Sequence, residues 1–332
     1  MTPTDHMAAR EASSEPPTTR AKSPVGPQEA TRLTSGRSPA DWMVKLQQTA
    51  GNRAARSLAL AGTLTQSRRQ RALARTPVTV SYNYSEPRVG GGAYGTRAAY
   101  DVELTALEAI LTMRINLVPD PGVTPQDVAS VQTTAEAAWL GMWDNRFILT
   151  DQADRSQYFL RVRVQWGATN PHHTIALHPG HALMDAGNWY VVPDTPTTYA
   201  HEMTHKMGAL DEYVDATAVN RATPTSPGVF ADHSLMGNYL TEGTANAEVK
   251  LRHAQNVADH VGPGLSPSRT LQASFTLNAQ GDRLVRWRRI RDSLAAGSAE
   301  RGRAAAEVTA IESDMLIPQL SAAAGIAYTP TP

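Results

Sequence analysis

Thr198-Tyr-Ala-His-Glu-Met-Thr-His-Lys-Met-Gly-Ala-Leu-Asp-Glu-Tyr213 contains the pattern His-Glu-x-x-His. On an α-helix, residues four apart are offset by about 40°, so His201 and His205 would point to the same side, as two ligands of one metal ion must. Glu202 follows His201, about 100° further round the helix, and can hold a water at that metal without being a ligand. The alternative is a helix that carries two histidines on its polar face.

A glycine and a carboxylate behind the two histidines favour the metal site. Gly208 allows the helix to end in a left-handed turn, which a residue with a side chain would resist. The chain can then double back and present Asp211 as a third, oxygen ligand. Three protein ligands and one open position predict a catalytic zinc site rather than a structural one.

A second element lies downstream, Ala231-Asp-His-Ser-Leu-Met-Gly-Asn-Tyr239. Helix, glycine turn, third ligand and Ser-x-Met turn together resemble the metzincin metallopeptidases, over roughly residues 145–240. The resemblance implies that Met236 forms a methionine turn, a hydrophobic floor beneath the zinc. It also implies that Asp211 replaces the usual third histidine, as in a small aspartate-ligand subset of that family.

Two tyrosines enter through the same resemblance. Asp211-Glu212-Tyr213 is similar to the Asp-Glu-Tyr ending of some bacterial metallopeptidases of the immunoglobulin-A protease type, although the spacing there is one residue longer. Many metzincins also place a tyrosine two residues after the turn methionine, where it contacts the transition state; here Tyr239 is three residues on. The resemblance therefore implies Tyr239 and Tyr213 as candidates for a contact with the substrate or the transition state.

The function predicted from these motifs is a zinc-dependent endopeptidase with a polypeptide substrate. Zn²⁺ on His201, His205 and Asp211 would activate a bound water, and Glu202 would accept its proton during attack on a peptide carbonyl. Glu202 would then deliver the proton to the leaving amine. Two alternatives stay open: an exported protease whose residues 1–75 are a removable pro-segment, and a structural or adaptor cargo protein that keeps the metal site without cutting.

The amino-acid composition limits the classes of partner and the compartment that we expect for this protein. The 31 basic residues balance the 31 acidic ones, which argues against a nucleic-acid partner or an anionic membrane surface. The absence of cysteine excludes disulfides and a cysteine-switch propeptide. No apolar run reaches membrane-spanning length, and the N-terminus lacks the hydrophobic stretch of a signal peptide. We therefore expect synthesis in the cytoplasm without a signal peptide.

The first 75 residues have the composition of a leader. Residues 1–37 are rich in Pro, Ser and Thr and predict disorder, and an amphipathic helix is predicted at about 38–60. Within it, Leu46-Gln-Gln-Thr-Ala-Gly-Asn-Arg-Ala54 resembles an element near the N-termini of proteins associated with bacterial extracellular contractile injection systems. The resemblance implies a toxin or effector cargo that such a particle delivers outside the cell or into a target cell, with residues 38–60 engaging its tube or loading proteins.

The pattern of the rest of the chain predicts an α+β fold with a helical extension at 271–332, and the resemblance implies a zincin- or metzincin-like catalytic domain at 76–270. Thr124 and Pro125 predict a helix start. The glycines at 90–92 and 95 predict a loop. The segment 174–177 is predicted to be the sheet edge beside the cleft, where an extended peptide could add as a strand. Strands are predicted at 78–84, 100–104, 110–118, 158–166, 174–177, 190–192 and 274–277.

Overall fold

The computed structural model describes residues 76–324, with side chains described through residue 315. The fold is α+β, as predicted: a mixed sheet combines with six α-helices within this part of the chain. None of the helices described here is long and apolar enough to cross a membrane. The predicted leader, 1–75, and its helix at about 38–60 lie outside the described residues.

The sheet has eight strands in the order β1-β2-β3-β5-β4-β8, and β6 and β7 branch from β3. Neighbours are antiparallel except β3 with β5, β3 with β6 and β6 with β7, which are parallel. The bounds are Val78–Pro87 (β1), Ala93–Leu104 (β2), Glu108–Pro119 (β3), Phe147–Asp151 (β4), Gln157–Trp166 (β5), His173–His178 (β6), Asn188–Tyr190 (β7) and Leu271–Phe275 (β8).

Six α-helices surround this sheet in the described chain. They are Pro125–Trp143 (α1), Pro196–His205 (α2), Tyr239–Glu242 (α3), Leu251–Gly264 (α4), Leu277–Ser293 (α5) and Ala299–Ala324 (α6). The start of α1 is the predicted one: Thr124 and Asp127 form a capping box and Pro125 follows the cap.

Helix α1 holds α2, the helix with the two histidines, against the core. Its buried stripe includes Val131, Trp139 and Trp143, the two tryptophans being fully buried. The indole Nε1 of Trp143 donates a hydrogen bond to Thr204 Oγ1 in α2 at 2.9 Å. Because a buried donor without a partner is costly, this hydrogen bond favours one position of α2 against α1.

The sheet differs from the predicted one at its margins. Gly95 belongs to β2 and pairs with Ser85, so the predicted glycine loop is shorter than expected. The predicted edge segment 174–177 lies inside β6, which β3 and β7 flank, so the outer strand is β7. The prediction was wrong because the strand predicted at 190–192 begins two residues earlier, at Asn188, and pairs with β6 on the side away from β3.

Two further strand predictions change. Strand β4 was not predicted, because four of its five residues are buried and a strand covered on both faces shows no alternation. The last strand is β8 at Leu271–Phe275 rather than 274–277, and it pairs with β4. The sheet thus extends past residue 270, and the helical pair α5–α6 follows it with a small apolar cluster of its own around Trp287, Ile290 and Val308.

Candidate metal centre

Helix α2 brings the two histidines of the motif to one point. Residues 198–204 of the helix are buried without interruption, so both its faces are covered. The imidazole rings of His201 and His205 lie edge to face, with centroids 4.8 Å apart, and their Nε2 atoms are 3.2 Å apart. The i, i+4 spacing therefore has the predicted consequence.

Asp211 completes a triad with these histidines. Its Oδ1 lies 3.1 Å from His201 Nε2 and 3.2 Å from His205 Nε2. Among the described residues, these three form the group of His, Asp and Glu side chains whose ligand atoms lie close enough to hold one metal ion. Oδ1 is buried and accepts no hydrogen bond of acceptable geometry from the described residues, so it has an unused lone pair aimed into the triad.

The other ring nitrogens decide the protonation of the triad. Nδ1 of His201 lies 2.8 Å from the Leu235 carbonyl oxygen, and Nδ1 of His205 lies 2.8 Å from that of Ala209. Carbonyl oxygens only accept, so each Nδ1 carries the hydrogen, and in a neutral imidazole Nε2 is then an acceptor. Two imidazole lone pairs and a carboxylate oxygen converge, an arrangement that requires a cation between them.

In the metal-free chain a proton can be that cation. Burial by itself lowers the pKa of His201, but the carboxylates of Asp211 and Glu202 raise it to about 9. Conversely, burial favours the neutral form of Asp211, yet the two imidazoles hold the pKa of its carboxyl well below the usual range. A metal ion at this site would therefore displace a proton, which makes its affinity depend on pH.

Gly208 makes the return of the chain possible. Its φ is +96°, in the region that side chains disfavour, and its N–H donates to the His205 carbonyl at 2.9 Å. A Cβ at this position would lie 2.1 Å from the hydroxyl oxygen of Tyr82. The glycine is thus required by both conformation and space, as the sequence predicted for conformation alone.

Glu212, the neighbour of the third ligand, anchors the turn. Its buried carboxylate accepts hydrogen bonds from Ser234, Arg252 and His253, and its N–H donates to the Met236 carbonyl at 2.7 Å. These contacts tie the Asp211 segment to the 234–236 turn and to α4. Nothing in the sequence pattern separates Glu212 from a solvent-facing carboxylate, so this role was not predicted.

The predicted methionine turn lies against the triad through its backbone. Met236 is fully buried, and its N–H donates to Ser234 Oγ at 3.1 Å. The residue before it, Leu235, supplies the carbonyl that accepts from His201 Nδ1. The turn therefore orients one histidine of the triad by a hydrogen bond, while Met236 itself belongs to the apolar core.

Glu202 lies beside the triad without joining it. Its Oε1 is 3.9 Å from His201 Nε2, and its Oε2 is buried with no hydrogen-bond partner among the described residues. The side chain is almost fully buried, and this burial raises the pKa of the carboxyl. A buried carboxyl group with a raised pKa and an unpartnered oxygen, beside a candidate metal site, is a candidate for proton transfer.

The two tyrosines proposed for substrate contact both lie near the triad. The hydroxyl of Tyr213 lies 3.3 Å from Asp211 Oδ2 and donates to it. The ring of Tyr239 is 5.2 Å from that of His201, and its hydroxyl donates to Thr198 Oγ1 at 3.3 Å. Each hydroxyl is thus engaged within the chain, Tyr213 on the third ligand and Tyr239 on α2.

Strand β1 supplies residues that sequence analysis did not connect with the site. The hydroxyl of Tyr84 donates to the His205 carbonyl, and that of Tyr82 donates to the Met207 carbonyl at 2.8 Å. Tyr84 therefore adds a second donor to the last carbonyl of α2, and Tyr82 satisfies a carbonyl in the turn that follows the helix. The alternation in β1 placed these tyrosines on one face, but it contained no signal for what that face touches.

Comparison with known proteins found no matching family model, no matching curated protein and no matching solved structure.

Proposed function

We propose that this protein is a zinc-dependent endopeptidase with a metzincin-like catalytic site. The observation that carries the proposal is the convergence of His201 Nε2, His205 Nε2 and Asp211 Oδ1 on one point, while each Nδ1 hydrogen is directed away from it to a backbone carbonyl. Beside this point, Glu202 has a buried and unpartnered carboxylate oxygen. Three ligands and a separate carboxylate are the parts that metal-assisted hydrolysis requires.

The donor set and its spacing are compatible with zinc. The three ligand atoms are 3.1 to 3.2 Å apart. Tetrahedral zinc with ligands at about 2.0–2.1 Å requires ligand atoms about 3.3 Å apart. Two imidazole nitrogens also argue against Mg²⁺ and Ca²⁺, which prefer oxygen ligands throughout. The Nδ1 bonds of both histidines are the outer contacts that orient zinc-binding imidazoles.

When bound, zinc would polarise the substrate carbonyl and lower the pKa of a water in the open position towards about 7. Glu202 takes one proton from the attacking water at a carboxylate oxygen as the water oxygen bonds to the carbonyl carbon. The same carboxyl group then gives this proton to the amine nitrogen as the carbon–nitrogen bond breaks. Burial raises the pKa of Glu202, which makes its carboxylate a stronger base for the first step than an exposed glutamate would be.

Replacing Glu202 by Gln tests this function. The variant should keep one zinc per chain, since Glu202 is not a ligand, and should lose about 10²- to 10⁴-fold in the rate of casein cleavage. Glu103→Gln, a similar change on β2, serves as the control and should leave both zinc content and rate unchanged. Elemental analysis and a peptide-release assay measure the two quantities.

Two outcomes would contradict the proposal. A Glu202→Gln chain that cuts as fast as the wild type would exclude Glu202 as the base. A wild-type chain that contains no zinc after purification and takes up none would contradict the proposed zinc site. The predicted delivery through residues 38–60 stays a separate prediction, because that segment lies outside the described residues.

A further inference from the structure

We infer that Arg221, with Glu86 as its buried partner, is a positioning residue that orients the carboxylate of Asp211 for metal binding. This inference rests on the proposed metal site. Neither residue belongs to the triad, and Glu86 lies at the end of β1, far from the His-Glu-x-x-His motif in sequence.

The pair is buried and its geometry is specific. Arg221 is 3% exposed and Glu86 is 2% exposed. Nε of Arg221 lies 2.9 Å from one carboxylate oxygen of Glu86 and 3.2 Å from the other. A charged pair this deeply buried is costly to desolvate, and it adds little stability compared with apolar residues of the same volume. A role beyond general stability would explain why the site contains it.

The remaining nitrogens of the guanidinium group face the segment of the third ligand. Nη1 donates to the Tyr213 carbonyl at 2.8 Å, and Nη2 lies 3.7 Å from Oδ2 of both Asp211 and Asp215. The guanidinium carbon is also 5.0 Å from the centroid of the Tyr213 ring. One planar fork thus joins Glu86 to three residues of the loop that follows Gly208.

The two oxygens of Asp211 have separate surroundings as a result. Oδ1 faces His201 and His205, whereas Oδ2 faces Arg221 and the hydroxyl of Tyr213. The positive charge on the Oδ2 side fixes the rotation of the carboxylate, so that Oδ1 stays directed into the triad. A ligand held in place before the metal arrives loses less conformational entropy on binding.

Backbone contacts fix the rest of this loop to the β1–β2 hairpin. Arg88 forms a bridge with Ala218, and the N–H of Val89 donates to the Thr217 carbonyl at 2.8 Å. The hydroxyls of Tyr94 and Thr217 are 2.6 Å apart. The hairpin therefore holds this loop in place, and the Glu86–Arg221 pair connects the hairpin to Asp211.

The test is the zinc affinity of the full-length chain carrying Arg221→Met and Glu86→Gln together. Changing both avoids an unpaired buried charge, and both substitutions keep the side-chain volume. Competition with a chelator at constant pH gives the dissociation constant, which should rise about 10- to 100-fold, the usual effect of removing an outer contact of a ligand. The absorption spectrum of the Co²⁺-loaded chain should change in parallel, because the geometry of Asp211 relaxes.

Arg269 and Asp151 provide a matched control. They form another arginine–carboxylate pair, in which Asp151 is buried and Arg269 is half-buried over the Tyr158 ring, and no contact joins them to the triad in the described structure. Arg269→Met with Asp151→Asn should lower the melting temperature but leave the zinc dissociation constant and the Co²⁺ spectrum unchanged. Arg221→Lys keeps the charge without the fork and should give an intermediate affinity.

A purely structural pair would behave differently. If the Arg221/Glu86 double variant melts at a lower temperature, as the control does, but binds zinc with the wild-type dissociation constant, the positioning role is refuted while the proposed function stands. If the wild-type chain itself binds no zinc, both fall together, and this result is distinguishable because it appears before any substitution.

Discussion

Gly208→Ala should be one of the most damaging single-methyl additions in the described chain. Gly208 has φ of +96°, and a Cβ there would lie 2.1 Å from the hydroxyl oxygen of Tyr82 and 2.8 Å from its Cζ. Real carbon atoms do not approach this closely, so the tyrosine or the turn must move. The tyrosine is not free to do so, because its hydroxyl donates to Met207 and its ring stacks on His260 with centroids 3.5 Å apart.

The expected cost is a sum of three terms. Placing an L-residue in the left-handed region costs about 1–2 kcal/mol. Losing the hydrogen bond from Tyr82 to Met207 costs about 1 kcal/mol, and losing the ring stacking costs about 0.5–1.5 kcal/mol. The free energy of unfolding should therefore fall by about 2.5–4.5 kcal/mol, which in a domain of this size lowers the melting temperature by about 10 °C.

Gly141→Ala is the matched control, with the opposite sign. Gly141 lies in α1, is exposed, and an added Cβ meets no atom within 4 Å. The same substitution should stabilise the chain there by about 0.5–1 kcal/mol, because alanine loses less conformational freedom in a helix. Both variants are compared by calorimetry in the presence of a chelator, so that metal binding does not contribute to the melting temperature.

The zinc dissociation constant then links the turn to the site. Because Asp211 follows Gly208 by three residues, a displaced turn should also weaken zinc binding in the Gly208→Ala variant and not in the Gly141→Ala variant. A Gly208→Ala chain that melts within about 2 °C of the wild type would refute the steric reasoning, since the three terms together cannot be that small.

Two further predictions concern the supports of the site. Burial favours neutral Glu212, but hydrogen bonds from Arg252 and His253 lower its pKa to about 2 from 4.5. The charged Glu212 carboxylate therefore stabilises the fold above pH 4.5, and this contribution is lost as the pH falls towards 2. In the Glu212→Gln variant, the free energy of unfolding of the metal-free chain, measured with urea, should depend less on pH between these values. Thr204→Val leaves Trp143 Nε1 without its acceptor and should lower the free energy of unfolding by about 1–3 kcal/mol. Adding Trp143→Phe removes the unpaired donor and should recover part of this loss. If the effects of the two substitutions simply add, the two residues are not coupled.

Regular, half-buried elements could be predicted from their own residues. The alternation in β1 and β5 and the cap at Thr124 each lie within one short segment, and the structure has those elements. Strand β4 could not be predicted in this way, because four of its five residues are buried and show no local alternation between buried and exposed positions. The strand predicted at 190–192 overlaps β7 only at Tyr190, since β7 begins two residues earlier.

The outer contacts of the site show the same limit. His201, Glu202 and His205 lie on one helix, so their relative positions follow from helical geometry. Arg221, Glu86 and Tyr84 reach the site from other parts of the chain, and no spacing rule relates them to the motif. They become recognisable only through distances across the fold.

By itself, the sequence determined the pair of imidazoles on one helix face, the carboxylate of Glu202 beside them, and the glycine that lets the chain turn back towards Asp211. These depend on backbone geometry over a few residues, which is the same wherever the segment lies. The tertiary structure alone decided which oxygen of Asp211 faces the histidines, which nitrogen of each imidazole bonds to a carbonyl, and which buried ion pair lies beside Asp211. Those properties depend on contacts between β1, the 234–236 turn and the 208–221 loop, and such contacts exist only once the sheet and helices have packed together.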